Sequence, residues 1–571
     1  MMLLFEWLDA TGARFWTVAW SFFVVMLASA LAASKSNGAD KTRHSFWRTL
    51  LARPDVFAAS VLLTLAAFRW PIWFAPSDIN PDEDQMLAAA ITLRRFPIFW
   101  KYVDGGTAGP LNNYLLVGAS WLGVPLNYLG ARIIATLLQA FSLLSVWGLL
   151  RRFAPERVAR LALIPGLCFW AFTSFHDFAQ YSSEQLAIAL VAGAMLMGAH
   201  ATCERASYRY RNNAAVACGF LAGMIPFAKL QLVPLAVYVI AWVAIAAWWQ
   251  EGRFTRAVVR QWFALFTGGI AFPAVVAVCL SIYGLWGQFN LTYIQANIGY
   301  VEDGNLSFGQ QPAKLLAFLF GTPGTGMIIG GSITVALLFT WPALTSPLRG
   351  MRAWSIATWL GTAVAFFCVI APGRELAHYL QILIVPCSVL AGFHLASACK
   401  NHPTAFLTSN WPAQYVVGAL FMAITVAPPV FFRATQKHFY TGRLTEHRSR
   451  LISPSGAFLN EHMKEGDTLT VWGWLPRLHV ETQMPQGTRD TISARQIFDN
   501  PLRYIFRGLY LRDMQRRKPT WFVDSVGPTS FGFHDRSING YESFPALASV
   551  ITSDYVFVAE VEGVRIFQLR K

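Results

Sequence analysis

Apolar runs close to the ~20 residues needed to cross a hydrocarbon core recur from the N-terminus to about residue 432. They cover roughly 14–33, 56–75, 130–150, 158–174, 183–202, 213–228, 230–249, 261–284, 326–343, 353–371, 379–396 and 412–432. The stretch 111–127 is ambiguous, because Asn112, Asn113 and Ser120 interrupt it. This pattern predicts a polytopic α-helical membrane protein. After residue 432 charged residues become frequent, and alternating runs such as Thr468-Leu469-Thr470-Val471-Trp472 and Tyr555-Val556-Phe557-Val558 predict strands. Residues 1–432 are thus expected to be a transmembrane domain, and 433–571 a small α/β domain packed directly on it, with no internal repeat or long linker between.

Composition agrees: 55% of the residues are hydrophobic and 13% charged, where soluble chains carry roughly 25% charge. Mean hydropathy is +0.40. A net charge of +15 would suit nucleic acid, but the basic residues sit mainly in short loops between apolar runs, where they set orientation. No nucleic-acid partner is expected. The seven cysteines all lie at or before residue 399, so no disulfide framework staples the C-terminal region. Glu6 and Asp9 precede the first apolar run without a basic region, which reads as a retained span and not as a cleaved signal.

Charge also resolves the ambiguous stretch. If 111–127 does not cross, one side collects Lys35, Lys41, Arg43, Arg48 and Arg53, then Arg151, Arg152, Arg157 and Arg160, then the basic loops near 205–211, 253–260 and 349–352. That side is cytoplasmic by the positive-inside rule. About twelve spans follow, with 111–127 a juxtamembrane or re-entrant helix on the outer face. The large loop 76–129, the stretch 285–325 and everything after 432 share that outer face.

The densest acidic cluster, Ser77-Asp78-Ile79-Asn80-Pro81-Asp82-Glu83-Asp84-Gln85, opens an amphipathic helix in this loop. Asn80 as N-cap, Pro81 at the first helical position and Glu83 in a capping box account for part of it. Capping needs one or two acids, and the excess suits a general base or hard-cation ligand. Asp104 heads a glycine-rich turn, Asp104-Gly105-Gly106-Thr107-Ala108-Gly109-Pro110, which lacks the Lys-Ser/Thr of a P-loop. The connection from Phe175 to Gln185 carries His176, Asp177, Tyr181 and Glu184, more polar groups than its Ser182–Gln185 capping box requires. Lys229, two residues before Gln231, lies in an apolar hairpin, where it reads either as a snorkelling lysine or as a counter-charge for phosphate. Arg374 with Glu375, His378 and Tyr379 occupies another outer connection. Its guanidinium suits a phosphate better than a surface ion pair.

These residues together resemble the GT-C superfamily of membrane glycosyltransferases, which includes lipid A aminoarabinose transferases, protein O-mannosyltransferases and oligosaccharyltransferases. The matching elements are Asp82-Glu83 opening the first large outer loop, Gly109-Pro110-Leu111-Asn112-Asn113-Tyr114, Tyr181-Ser182-Ser183-Glu184, Lys229, and Arg374 with His378-Tyr379. Val471-Trp472-Gly473-Trp474 is similar to the extracytoplasmic tail of bacterial members. An extra first span and the lack of a Pro-Pro pair before the juxtamembrane helix depart from the aminoarabinose transferases. The resemblance implies a bacterial inner-membrane enzyme, with active site and C-terminal domain periplasmic. It would pass a sugar from a polyprenyl-phosphate donor to a lipid, glycan or protein acceptor with inversion. It makes Asp82 the general base and gives Glu83 the orientation of the acceptor or a metal. Asp84, Asp104, His176, Asp177, Tyr181, Glu184, Gln231, Glu375, His378 and Tyr379 become substrate contacts, and Lys229 and Arg374 neutralise the phosphate. A divalent metal ion at Asp82 and Glu83 is permitted. The alternative class is a transporter or lipid flippase, against which stand the gathering of charge on one face and the sizeable outer domain.

Overall fold

The computed structural model describes residues 12–33, 46–75, 77–173, 175–203, 206–302, 309–321, 325–344, 349–401, 423, 425–435, 452–527 and 530–570. Eight of its helices are long and apolar enough to cross a membrane. They are Phe15–Ala32, Pro54–Trp73, Tyr128–Leu150, Ser183–Ala201, Leu230–Glu251, Arg256–Tyr283, Arg352–Ile370 and Ala377–Ser397. Two of the remaining expected spans are divided or cut short at a proline. The run 158–174 forms two helices, Glu156–Leu161 and Ile164–Phe172, the second carrying Pro165 in its first turn, where the missing N–H forfeits no intrahelical bond. The run 213–228 gives the helix Tyr208–Met224, which yields to a 3₁₀ turn at Pro226. The run 326–343 lies within the 20-residue helix Thr325–Leu344. Of the run 412–432, most lies outside the described residues. The ambiguous stretch forms the helix Pro110–Trp121, 12 residues long. At 1.5 Å per residue that is about 18 Å, too short to cross.

Between Tyr208–Met224 and Arg256–Tyr283 the backbones touch. A Cβ on Gly219 would sit 2.1 Å from the Leu265 carbonyl oxygen, on Gly223 2.2 Å from that of Gly269, and on Gly268 2.2 Å from that of Val216. Small residues one turn apart create this close approach where no hydrophobic force drives helices together. Elsewhere buried arginines tie helix ends. Arg69 donates to the carbonyls of Trp170, Phe178 and Ala179, and Arg160 to those of Ser29 and Ala52. Each supplies donors to carbonyls that a helix end or turn leaves unpaired.

The C-terminal region holds a four-stranded sheet of β1 (Leu469–Trp472), β2 (Trp521–Asp524), β3 (Tyr555–Val561) and β4 (Val564–Leu569) in the order β1-β2-β4-β3. β1 and β2 are parallel, and the other pairs antiparallel. The β3–β4 loop is the two residues Glu562 and Gly563, both at positive φ, the hairpin turn whose twist matches the strands. β1 and β2 are buried along their whole length. Leu469, Val471 and Val523 face one apolar cluster, and Trp472 and Phe522 the other, as the two-residue period of a strand requires. Hydrogen bonds dock this region on the helical part: Gln486 N–H donates to Thr92 Oγ1 at 3.0 Å and Gln483 Nε2 to the Leu126 carbonyl at 3.2 Å.

Gly223→Val should separate the two helices it joins. A markedly lower melting temperature in detergent and loss of the monodisperse species by size exclusion are expected. Gly118→Ala, at a position with open space around it, should change neither.

Candidate functional site

The helix Pro81–Arg95 begins as its sequence predicts. Asn80 is extended, and its side chain accepts the Asp82 N–H at 3.0 Å. Pro81 occupies the first turn, and Asp82, Glu83 and Asp84 lie against the positive end of the helix dipole. Successive residues point about 100° apart, so these three acids part company. Glu83 is fully buried, with Oε2 2.6 Å from Arg132 Nη2 and Oε1 accepting the Tyr181 N–H at 3.1 Å. It is an ion-pair anchor and not the capping-box acid of the sequence reading. Asp84 turns to the Tyr128 hydroxyl, 2.6 Å away. Burial, then the charge of Asp78, push its carboxyl well above the usual range. Only Asp82 of the three lines the cavity beneath the loop, where it accepts a bond from Gln85 Nε2 at 3.2 Å. Burial raises its pKa above the ordinary carboxylate value, against the opposing pull of His378.

The cavity has a volume of about 1050 Å³. On its helical wall stand Asp82, Asp177, Glu184, Lys229, Arg374 and His378. Lys229 is an extended residue between two 3₁₀ turns, Ile225–Phe227 and Leu230–Leu232. Its Nζ lies 2.7 Å from Glu184 Oε1, donates to Ser183 Oγ at 2.8 Å, and sits 5.3 Å from the centre of the Tyr379 ring. The glycine-rich segment builds this position. Gly109 N–H and Asn112 Nδ2 donate to the Ala228 carbonyl at 3.0 and 2.8 Å, and a Cβ on Gly109 would meet the Phe227 carbonyl oxygen at 2.1 Å. His378 bridges two acids, with Nδ1 3.7 Å from Asp177 Oδ2 and Nε2 3.9 Å from Glu184 Oε1. Asp177 also accepts from Asn80 Nδ2 at 2.7 Å. Burial pushes its carboxyl up, but the His378 ring and the Asn80 amide outweigh that and leave it below the ordinary value.

Arg374 is half-buried with its guanidinium 4.5 Å from the centre of the Tyr300 ring, and it donates to the Tyr300 carbonyl at 3.2 Å. Its Nε has no hydrogen-bond partner among the described residues. The facing wall belongs to the C-terminal region. Asp104, in the glycine-rich loop, accepts the Gly106 N–H at 3.0 Å and pairs with Arg495 Nη1 at 2.7 Å, which ties that loop to the C-terminal region. Arg495 and Tyr300 were not singled out by sequence, and Trp474 entered only as part of the Val471–Trp474 segment, with no site role. Arg495 meets Asp104 across 391 positions, a separation no local pattern reveals.

Several expected contacts fall elsewhere. Glu83, Asp84 and Tyr181 are buried behind the wall, the Tyr181 hydroxyl donating to the Asn112 carbonyl at 2.9 Å. His176 is exposed beside Asp177. Gln231 donates to the Cys368 carbonyl at 2.6 Å, and Glu375 pairs with Lys314 at 2.7 Å. The oxygens of Asp82 and Glu83 do not converge, because Arg132 and the Tyr181 amide hold Glu83. Among the described residues no group of three or more His, Cys, Asp or Glu side chains is arranged to hold a metal ion.

No protein-family model and no curated protein matches this chain. Among solved structures it is similar to ArnT from Cupriavidus metallidurans bound to undecaprenyl phosphate, with a TM-score of 0.54, 14% identity, and coverage of 89% of this chain and 97% of that one. The apo state of the same protein gives a TM-score of 0.49 at 16% identity, covering 89% and 98%. The oligosaccharyltransferase AglB from Archaeoglobus fulgidus, in complex with an inhibitory peptide and a dolichol-phosphate, gives 0.43 at 11% identity, covering 84% and 70%. The likeness to the first of these establishes a GT-C-like fold.

Glu83→Gln leaves the buried Arg132 charge unmatched and should cost about 3–5 kcal/mol, read as a fall in thermal stability in detergent. Asp82→Asn should leave stability at pH 7 unchanged or slightly raised. A carboxyl whose folded pKa lies above its unfolded one is stabilising when protonated, and that contribution is lost as pH rises through the folded pKa.

Proposed function

We propose that this chain is a multi-pass glycosyltransferase of the bacterial inner membrane. It would carry a sugar from a polyprenyl-phosphate donor to a cell-envelope acceptor, whether lipid A, polysaccharide or protein, on the periplasmic side. The observation that carries this reading is the sharing of one cavity by a base and two cations: Asp82, Lys229 and Arg374. Glycosyl transfer from a phosphate-linked donor is served by both, a proton acceptor for the incoming hydroxyl and positive charge for the departing phosphate.

In this mechanism Asp82 takes the proton of the acceptor hydroxyl as its oxygen attacks the anomeric carbon. The bond from that carbon to the phosphate oxygen breaks on the opposite face, which inverts the configuration. The raised pKa of Asp82 makes its carboxylate a stronger base than an exposed one. Lys229 has three N–H donors, two of them engaged by Glu184 and Ser183, which leaves one for phosphate. Arg374, held by the Tyr300 ring and lining the same cavity, adds planar donors suited to the same group. Glu184 orients Lys229 and balances its charge, and His378 stands on the same carboxylate at 3.9 Å. The undecaprenyl phosphate named for the similar ArnT structure supports the choice of donor. The Arg151–Arg160 loop follows the far end of the helix Tyr128–Leu150, whose first turn lies by Asp84. The positive-inside rule therefore favours an extracytoplasmic cavity.

Reconstituted protein should release polyprenyl phosphate from a labelled polyprenyl-phosphate sugar, with a new glycosidic bond in the product identified by mass spectrometry. Asp82→Asn should lower kcat by about 10²–10⁴-fold, and Lys229→Ala and Arg374→Ala by about 10²–10³-fold. The acidic limb of the kcat/KM profile should lie above the usual carboxylate range, activity rising as Asp82 deprotonates. Wild-type turnover in Asp82→Asn would remove it as the base. Movement of substrate across the bilayer without bond formation would favour a transporter.

A further inference from the structure

The cavity wall opposite Asp82 carries aromatic side chains that the transfer chemistry does not use. Trp474 follows β1 directly, and Phe531 lies in the segment after β2, so both leave the carboxyl ends of the sheet's one parallel pair. That edge is where open α/β sheets bind ligands, because the loops diverge there into a crevice. Gly473, at φ 106, turns the chain out of β1, and a Cβ there would meet Ser525 Oγ at 2.5 Å. The Phe531 N–H then donates to the Trp474 carbonyl at 3.4 Å, and the two rings meet edge to face at 5.1 Å. Phe498 joins them on the lining.

Phe531 is 56% exposed and Phe498 51%. Two open phenylalanines and a tryptophan on one cavity wall mark a binding surface. The Trp474 indole N–H has no acceptor among the described residues. Asp499, next in the chain to Phe498, also lines the cavity with its side chain 93% exposed, and among the described residues its carboxylate pairs with Arg503 at 3.3 Å. A lipid tail would not be served by a carboxylate in this position. A sugar would, since its ring presents a C–H face for stacking and a rim of hydroxyls for hydrogen bonds.

We infer that Trp474, Phe498 and Phe531 form a saccharide-stacking subsite, with Asp499 taking hydroxyl hydrogens, and that it seats the sugar of the acceptor. This deepens the transferase reading and rests on it: Lys229 and Arg374 engage the donor phosphate on the helical wall, and the acceptor enters from the sheet side. The acceptor is thereby narrowed to a glycan or glycolipid and excludes an unmodified peptide.

The test is saturation-transfer NMR on full-length protein in phospholipid nanodiscs, since a maltoside detergent would itself present sugar. The probes are di- to tetrasaccharides built from glucose, mannose, N-acetylglucosamine and glucosamine. At least one probe should bind the wild type. Trp474→Ala and the exposed Phe531→Ala should each weaken it ten-fold or more, while Trp474→Phe restores most of the affinity. Binding should persist in Asp82→Asn, so a failure of catalysis and a failure of this subsite are distinguishable. Polyprenyl-phosphate sugar should bind wild type and Trp474→Ala equally. Loss of donor binding in Trp474→Ala, or saccharide binding indifferent to both alanine variants, or no saccharide binding at all, would each overturn the assignment.

Discussion

The arrangement of the cavity depends on where Arg132 spends its donors. From the first turn or so of the helix Tyr128–Leu150 it reaches the Ile72, Ala75 and Ser77 carbonyls at 3.1, 2.6 and 2.7 Å and the Glu83 carboxylate at 2.6 Å. One guanidinium therefore ends the helix Pro54–Trp73 and fixes the start of Pro81–Arg95. A buried pair of this kind need not stabilise the fold more than apolar residues of the same shape would. Its contribution is to register: with Glu83 held inward, the rotation of the helix is set, and Asp82 has only the cavity to face.

The same economy governs the positive charges. Lys229 is carried by an irregular turn, and non-helical backbone near a membrane is tolerated only where protein or a watered cavity receives its polar groups. Asn112 and Gly109 receive those of Ala228, while Glu184 and Ser183 receive the ammonium itself. Asp177 and His378 add one acid and one base to that chain without forming a convergent cation site. The result is a wall whose charges are mutually supported yet retain donors toward the cavity, which is the state a phosphate-binding surface needs before its ligand arrives.

Much of this was legible in the sequence because it follows from local chemistry. The helix beginning at Pro81 with Asn80 as its cap, the short helix from Pro110, and the strands after residue 468 all arise from spacing and propensity. The identities of Asp82, Lys229, Arg374 and His378 as site candidates rested on ionisable groups placed beside apolar spans, and the structure brings these four to one cavity. What local reasoning could not see was direction. Glu83 differs from Asp82 by one step along a helix, and only the distant Arg132 decides which acid turns inward. Span 158–174 looked continuous because hydropathy ignores Pro165, which stands in the first turn of the second helix. Arg495 and Trp474 needed the sheet to be built before they could line the cavity.

The C-terminal region is therefore more than a cover. Asp104 belongs to the loop that leads into the Pro110–Trp121 helix, and its pairing with Arg495 and the Asp104 N–H bond to the Arg489 carbonyl at 2.8 Å fasten that loop to the C-terminal region. The helix after Pro110 begins at the residues that shape the Lys229 turn. A short, largely covalent path thus runs from the aromatic wall through Asp104 and Gly109 to the ammonium on the opposite wall. Because each junction is a directional hydrogen bond or a glycine contact with no slack, the two walls are spaced by the loop between them. An occupant of one wall is consequently held at a distance from the other that the fold, and not the occupant, determines.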